Sequence, residues 1–367
     1  MVSMEELLNL MVQRGGSDLH LSAGAPPKIR IDGKLIDTEH DVLHPEATKK
    51  LVYSVLSPDQ VAKFEKTLEI DFSFGVANLG RFRTNAFMQR GTVAAVMRVI
   101  PFEVFDFEQI GMPRQVCEWI CNLNRGLVLV TGATGSGKST TLASMVDYVN
   151  NSRQDHIVTI EDPIEFLHRN KNCLVNQREV QADTHGFAAA LRSVLRQDPD
   201  VVLVGEMRDL ETIEAALTLA ETGHLTFATL HTSDVAQTIN RIVDVFPAHQ
   251  QQQIRTMLSF TLQAVVCQQL IPKSTGKGRS LAAEIMIVNP AIRALIRDNK
   301  THQIMSILQT SGASGMKTMS QAVYELYRSG TITFDDAMTY VPDQAEFQRL
   351  MDRNPRGAGA SASPRMR

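Results

Sequence analysis

The chain has 367 residues, 43% of them hydrophobic and 21% charged, with a formal net charge of −3; such a length suggests two domains with ample cores, and the composition is that of an ordinary soluble globular protein. The mild negative balance argues against a protein that lives by wrapping nucleic acid. No apolar run approaches the roughly 18 residues of a membrane helix, and Glu5 and Glu6 stand where a secretory leader would be basic. Cys117, Cys121, Cys173 and Cys267 form no Cys-x-x-Cys pair, so buried free thiols in a reduced, cytoplasmic protein are expected.

In chain order, residues 5–14 carry apolar side chains at helical spacing and stop at Gly15-Gly16. Residues 17–22 alternate as a strand, and 28–36 read as a hairpin about Asp32-Gly33, a pair suited to a type I′ turn. Residues 45–66 are helical in two pieces broken at Ser57-Pro58. Residues 69–76 alternate as a strand, followed by a turn at 78–80 and strands at 81–88 and 93–100. Residues 1–100 are therefore expected to form a small α/β domain with a mostly antiparallel sheet and no nucleotide motif. Within it, Arg81 and Arg83 project from one strand face. Two adjacent guanidinium groups repel unless an anion or carboxylate meets them, the alternative being a solvated edge face.

Residues 101–113, bounded by prolines and without periodicity, read as an interdomain linker with enough aromatic side chains to dock. Beyond 114, strands alternate with helices, which predicts a parallel sheet covered on both faces, in a domain running over 114–353. Its strands are expected at 127–131, 156–161, 201–205 and 225–230. Residues 249–269 read as one long helix with the stripe Ile254, Met257, Leu258, Leu262, Val265 and Val266. Helices are also expected at 290–298, 316–329 and 334–341, and the Gly/Ala/Ser/Pro tail at 354–367 reads as disordered.

Between an apolar strand and an apolar-periodic helix stands Gly132-Ala133-Thr134-Gly135-Ser136-Gly137-Lys138-Ser139, the context a phosphate-binding loop requires. Its glycines let the backbone wrap an anion, and the N–H groups of Thr134 through Thr140, with the helix N-terminus, supply positive potential. Lys138 would reach the β- and γ-phosphates of ATP, and the Ser139 hydroxyl would ligate Mg²⁺.

In parallel sheets the chemistry gathers beyond the carboxyl ends of the strands, and three polar clusters stand there. The first, Thr159 to Glu165, holds Glu161, Asp162 and Glu165, suited to orienting water or the metal shell, or to capping a turn. The second, Val201-Val202-Leu203-Val204-Gly205-Glu206, is an apolar strand ending in an acid. Gly205 stands where many P-loop enzymes carry a metal-ligating aspartate, which leaves Glu206 to align or deprotonate water. Whether Glu161 or Glu206 is the base is open at this point. The third, Gly223 to Asp234, places His224 at the start of a strand and His231 at its end, where a γ-phosphate sensor or a structural histidine would both fit.

Taken together, these motifs resemble the secretion-ATPase superfamily, which powers type IV pili and type II and IV secretion. Its Walker A loop, aspartate-rich box, atypical Gly-Glu Walker B and histidine box all occur here in family order. Gly80-Arg81-Phe82-Arg83-Thr84-Asn85 is similar to the arginine-bearing strand of the family's PAS-like domain. Ala291-Ile292-Arg293-Ala294-Leu295-Ile296-Arg297-Asp298 resembles the C-terminal motif of the twitching-motility (PilT-type) retraction ATPases, with Asp298 where that motif ends in Glu. The resemblance implies a PAS-like N-terminal domain and a RecA-like P-loop ATPase domain, assembled as a homohexamer at the cytoplasmic face of the inner membrane. It implies as partners an inner-membrane pilus platform protein and an accessory retraction ATPase, and no nucleic acid. It implies that Arg81 and Arg83 serve a phosphate site, and that Arg293 and Leu295 couple the motor to the pilus base. The pilus-extension and type II secretion ATPases are rivals, but usually carry a further N-terminal domain and a four-cysteine zinc insertion, neither of which is legible here. A RecA-like nucleic-acid motor is a rival of another class, and the chain lacks the aromatic-basic strip that it would use.

Overall fold

In the computed structural model, which describes residues 2–31, 33–77, 79–100 and 103–353, strict alternation along the first strands becomes a sheet with one apolar and one polar face. Asp32, Asn78, residues 101–102 of the expected linker and the expected disordered tail at 354–367 lie outside the described residues. The chain divides into two compact units, one of Met1–Glu103, Pro163–His168 and Glu179–Asp183, the other of Val104–Asp162, Arg169–Arg178 and Thr184–Arg367.

In the first unit the elements run α1 (Met4–Gln13), β1 (Asp18–Ser22), β2 (Lys28–Ile31), β3 (Lys34–Asp37), α2 (Pro45–Tyr53), α3 (Pro58–Thr67), β4 (Glu69–Val76), β5 (Gly80–Gln89) and β6 (Thr92–Ile100). The strands form a six-stranded sheet in the order β3-β2-β1-β6-β5-β4, antiparallel at every pairing. The expected helical break falls where Ser57 and Gln60 form a reciprocal capping box ahead of Pro58, satisfying two orphan N–H groups at once. Leu19, Leu21, Ile29, Phe82 and Met97 on one face pack with Leu7, Leu8, Met11, Val52 and Phe64 from the helices.

On the opposite face the register sets Arg30, Asp18, Arg98 and Arg83 side by side across four strands. Asp18 is buried and accepts from Arg98 Nε at 2.8 Å and Ser17 Oγ at 2.7 Å, with Arg30 Nε at 3.8 Å. Burial alone would raise its pKa, but the Ser17 hydroxyl and the Arg98 guanidinium together hold the carboxyl below its ordinary value.

The second unit carries α4 (Arg114–Cys121), β7 (Gly126–Thr131), α5 (Lys138–Ser152), β8 (His156–Glu161), β9 (Leu174–Glu179), α6 (Phe187–Val194), β10 (Val201–Val204), α7 (Leu210–Glu221), β11 (Leu225–Leu230), α8 (Val235–Asp244), α9 (Ala248–Thr261), β12 (Leu262–Pro272), β13 (Arg279–Ile287), α10 (Pro290–Arg297), α11 (Ile304–Thr310), α12 (Met319–Arg328), α13 (Phe334–Tyr340) and α14 (Gln344–Arg353). Its sheet has seven strands in the order β13-β12-β7-β11-β10-β8-β9. The pairings β12-β7, β7-β11, β11-β10 and β10-β8 are parallel. The aromatic segment ahead of α4 docks on α5: Ser144 Oγ donates to the Phe105 carbonyl at 2.6 Å, and the Phe107 and Tyr148 rings lie 5.5 Å apart.

One expectation fails here. Residues 249–269 are not a single helix: α9 ends at Thr261 and the chain continues as β12, between β7 and β13. The apolar stripe of a helix and the apolar residues of a strand buried on both faces coincide at Leu262, Val265 and Val266, and periodicity alone cannot separate them. Sheet pairing decides for the strand, and Arg293 Nη1 holds the last carbonyls of the helix, donating to Ser259 O at 2.7 Å and Phe260 O at 3.0 Å. The strands β9 and β13 and the helices α11 and α14 were not legible in the sequence either. All four cysteines are buried and free, as expected, and burial pushes the Cys117 thiol up to about 12. Among the described residues no helix is long and apolar enough to cross a membrane.

Candidate functional site

Four chain segments expected to carry chemistry line up along the carboxyl edge of the parallel sheet. Register pairs Leu230 with Thr131, and Val204 with both Ala228 and Ile160. The next residues along each strand are therefore Gly132 of the loop, His231, Gly205 before Glu206, and Glu161. Neighbours in the sheet have become neighbours at its edge.

The loop from Gly132 joins β7 to α5. Gly132 has φ 140°, and a Cβ there would lie 2.4 Å from the Gln268 carbonyl oxygen on β12. Only glycine lets the loop turn against that strand. Gly137 opens α5 with no side chain capping the first turn, whereas Asp209 and Asp234 bond the first-turn N–H groups of α7 and α8. The uncapped N-terminus, with its dipole, is a cradle for an anion. The Ser136 hydroxyl is buried in the loop and has no hydrogen-bond partner among the described residues. Lys138 Nζ donates to the carbonyls of Gly132 at 2.8 Å and Ala133 at 3.0 Å. These features fit a polyphosphate.

Glu206 is the centre of the polar row. Its Oε1 lies 3.0 Å from His231 Nε2 and also accepts from Arg208 Nε. Glu161 Oε1 accepts from Thr159 Oγ1 at 2.6 Å and Gln177 Nε2 at 3.2 Å. Between the two acids sits Gly205, whose N–H donates to the Ile160 carbonyl at 2.8 Å. A Cβ at Gly205 would meet that same oxygen at 3.1 Å and the Glu161 Cα at 3.2 Å. The glycine in place of the Walker B aspartate thus has a steric correlate: the end of β10 lies so close to β8 that a side chain there would have to push the strands apart by a few tenths of an ångström. A carboxylate beside a histidine can align and deprotonate a water.

Other candidates are placed differently. His224 sits at the amino end of β11, its Nδ1 3.0 Å from the Leu219 carbonyl and 3.2 Å from Thr222 Oγ1, away from the row. Arg81 and Arg83 belong to the first unit. There Arg81 Nη2 lies 3.4 Å from Glu179 Oε2, so a carboxylate meets one of the pair, while Arg83 is exposed. Arg293 holds the α9 terminus, as described, and Leu295 is half-buried. Sequence reasoning missed Gln268, whose Nε2 donates to Thr141 Oγ1 on α5 at 2.6 Å. It also missed Arg279, whose Nη1 donates to the Gly135 carbonyl of the loop at 3.4 Å. Gln268 lay inside the misread helix, and nothing in the sequence ties Arg279 to the loop. The pairing of Glu206 with Arg208 was likewise not anticipated, although opposite charges two residues apart could have suggested it.

A parallel sheet, a glycine loop cradling the N-terminus of a buried helix, and acids at the adjoining strand ends define a P-loop ATPase. The chain belongs to the type II/IV secretion system protein family, whose model matches residues 4–339. It is 53% identical to the type IV pilus retraction ATPase PilT of Pseudomonas aeruginosa over 92% of this chain and 97% of that protein. It is 41% identical to the type IV pilus ATPase PilU of the same organism, over 95% of this chain and 91% of that one. The crystal structure of the pilus retraction motor PilT with bound ADP superposes with a TM-score of 0.88 at 52% identity, covering 95% of this chain and all of that one. That similarity takes in both the N-terminal α/β domain and the P-loop ATPase domain.

Proposed function

We propose that this chain is an ATP-hydrolysing motor that retracts type IV pili, working as a homohexamer on the cytoplasmic face of the inner membrane against a pilus platform protein. One observation carries the reading: the Glu161–Glu206–His231 row beside the glycine loop stands in a chain that runs nearly the whole length of a pilus retraction ATPase at 53% identity. The likeness to PilU, at 41%, supports an accessory retraction ATPase as a further partner.

In this reading the loop N–H groups and Lys138 bind the phosphates of ATP. Lys138 trades the carbonyls of Gly132 and Ala133 for phosphate oxygens, which leaves its charge better met. Glu206 takes the proton of the attacking water at a carboxylate oxygen, and His231, already against Glu206, senses the γ-phosphate. Glu161, held by Thr159 and Gln177, orients the water shell. Among the described residues no group of three or more His, Cys, Asp or Glu could hold a metal ion. Mg²⁺ would rest on the Ser139 hydroxyl, the phosphates and water, a hard oxygen donor set suited to a hard cation. When bound it supplies neutralisation of phosphate charge. Arg81 and Arg83 lend positive charge to a phosphate site in the ring, stabilising charge that develops in the transition state.

Deleting the gene tests the direction of the motor. Retraction predicts hyperpiliated cells that do not twitch; bald cells would assign the chain to pilus extension instead.

A further inference from the structure

Glu284, in the middle of β13, is 1% exposed and has no part in the chemistry above. Its two carboxyl oxygens go to two different helices. Oε1 accepts the Val235 N–H, the first residue of α8, at 2.9 Å. Oε2 accepts the Met319 N–H, the first residue of α12, at 3.2 Å. Both helices already have conventional caps further into the first turn, Asp234 on Gln237 and Thr318 on Gln321, so Glu284 is not filling in for a missing one. A single buried acid fixes where both helices begin, and the positive ends of both dipoles converge on it.

What makes this matter is what precedes α8. His231 lies three residues ahead of Asp234, and the segment between is short and tied down. Thr232 Oγ1 and Thr238 Oγ1 lie 2.7 Å apart, which pins the loop to the first turn of α8. On the other side, His231 Nε2 reaches Glu206 Oε1 at 3.0 Å. A continuous series of close contacts and hydrogen bonds therefore leads from Glu206 through His231 and the start of α8 to Glu284, and on to the start of α12. That last helix is built into a core of its own, with Met319, Val323 and Tyr324 packed on Phe347, Ala337 and the β12–β13 residues Ile271 and Ala282.

We propose that Glu284 is a positioning residue for the phosphate-sensing histidine, holding the His231 loop in register with Glu206 and tying it to the C-terminal helices. The proposal rests on the reading of His231 given above. A shift of α12 is passed to α8 through one carboxyl group and so to the imidazole, which gives movement of the C-terminal helices a route to the hydrolytic site. Displacing a catalytic group by about 1 Å can cost on the order of a hundredfold in rate. A modest slackening of this clamp should therefore be visible in turnover.

The test is a double-mutant cycle on the full-length protein, with steady-state ATP hydrolysis measured for wild type, Glu284→Gln, His231→Ala and the double variant. Glutamine keeps the arm length but turns an NH₂ group toward one of the two N–H donors, so only one helix start is still held. The expected result is a fall in kcat of about tenfold in Glu284→Gln with KM for ATP within about twofold, and a double variant no slower than His231→Ala alone. A merely structural role would instead multiply through the cycle, and multiplied effects overturn the proposal. So does an unchanged kcat in Glu284→Gln. An unchanged kcat in His231→Ala removes the reading of His231 and the proposal with it, which separates the two failures. Should Glu284→Gln not fold, Glu284→Asp carries the same cycle, its shorter arm reaching one N–H at a time.

Discussion

Asp18 and Glu284 are both acids buried to within a few per cent, at 3% and 1% exposure, one in each unit, and they are held in opposite ways. Asp18 is met by side chains, the Ser17 hydroxyl and the guanidinium groups of Arg98 and Arg30, and its carboxyl is held below the ordinary value. Among the described residues, Glu284 is met by backbone N–H groups alone. Burial pushes its carboxyl up, and the bonds from Val235 and Met319 offset that only in part. Side chains can re-aim to follow a displaced acid, whereas a helix start follows only by carrying its helix with it. The contribution of Asp18 is thus one of charge, local to a sheet face. That of Glu284 is one of position, and on the reading proposed above it extends through the start of α8 to His231 and Glu206. The same division separates the units: the antiparallel sheet carries its charges across a face, the parallel sheet at one edge.

Substitutions sharpen the contrast, because those at the parallel edge should change turnover and leave the first unit's stability alone. The largest effect is expected from Lys138→Ala, which should abolish tight nucleotide binding; equilibrium titration with a fluorescent ATP analogue checks it, and affinity like wild type would break the loop assignment. Glu206→Ala should still bind ATP but hydrolyse it at least about a hundredfold more slowly, the usual scale for a lost general base. Single-turnover rates decide this, and a wild-type rate would pass the role to Glu161. Gly205→Ala should act more weakly. The added methyl must push β10 from β8 by a few tenths of an ångström, since it would lie 3.1 Å from the Ile160 oxygen. Such overpacking costs about 1–3 kcal/mol, part of it felt as a displaced Glu206. A fall in kcat of roughly tenfold is expected together with a melting temperature lower by several degrees, and unaltered kcat with the lowered melting temperature would show that the close approach serves packing alone.

The same contrast explains what the sequence revealed. Every strand of the first unit was legible, because an antiparallel sheet with one polar face writes its period of two directly into the chain. The four central strands of the second unit were legible by another route, as short apolar runs each ending in a polar cluster. Glu161, Glu206 and His231 came with them, since a strand end in a parallel sheet is where chemistry sits. The other side of that sheet was not legible. In β12, buried on both faces, Leu262, Val265 and Val266 continue the helical spacing of α9, and only pairing with β7 and β13 tells strand from helix. Gln268 and Glu284 were lost with those strands, so the residues bracing the loop and the histidine were hidden while those expected to do chemistry were plain. Gly205 shows a third case: the departure from the usual aspartate was visible, but the close approach to β8 that goes with it is something no sequence states.

The smallest effect belongs to the first unit. Asp18→Asn removes the charge that holds Arg98 and Arg30 together on the polar face, and Arg98 is itself 68% exposed, so solvent screens much of the pair. A loss of about 1 kcal/mol is expected, read as faster hydrogen exchange of the β1 and β6 amides, with ATP turnover unchanged. The sign of the pH dependence follows from the lowered carboxyl. A depressed folded value means the stabilisation is fully present above the ordinary carboxyl range near about 4, and is lost as pH falls through the folded value. The difference in exchange between wild type and Asp18→Asn should therefore hold constant from neutral pH down to that range and close in stronger acid. A difference that survives in acid would assign the effect of Asp18 to shape and hydrogen bonding, and the comparison with Glu284 would then lose its charge side.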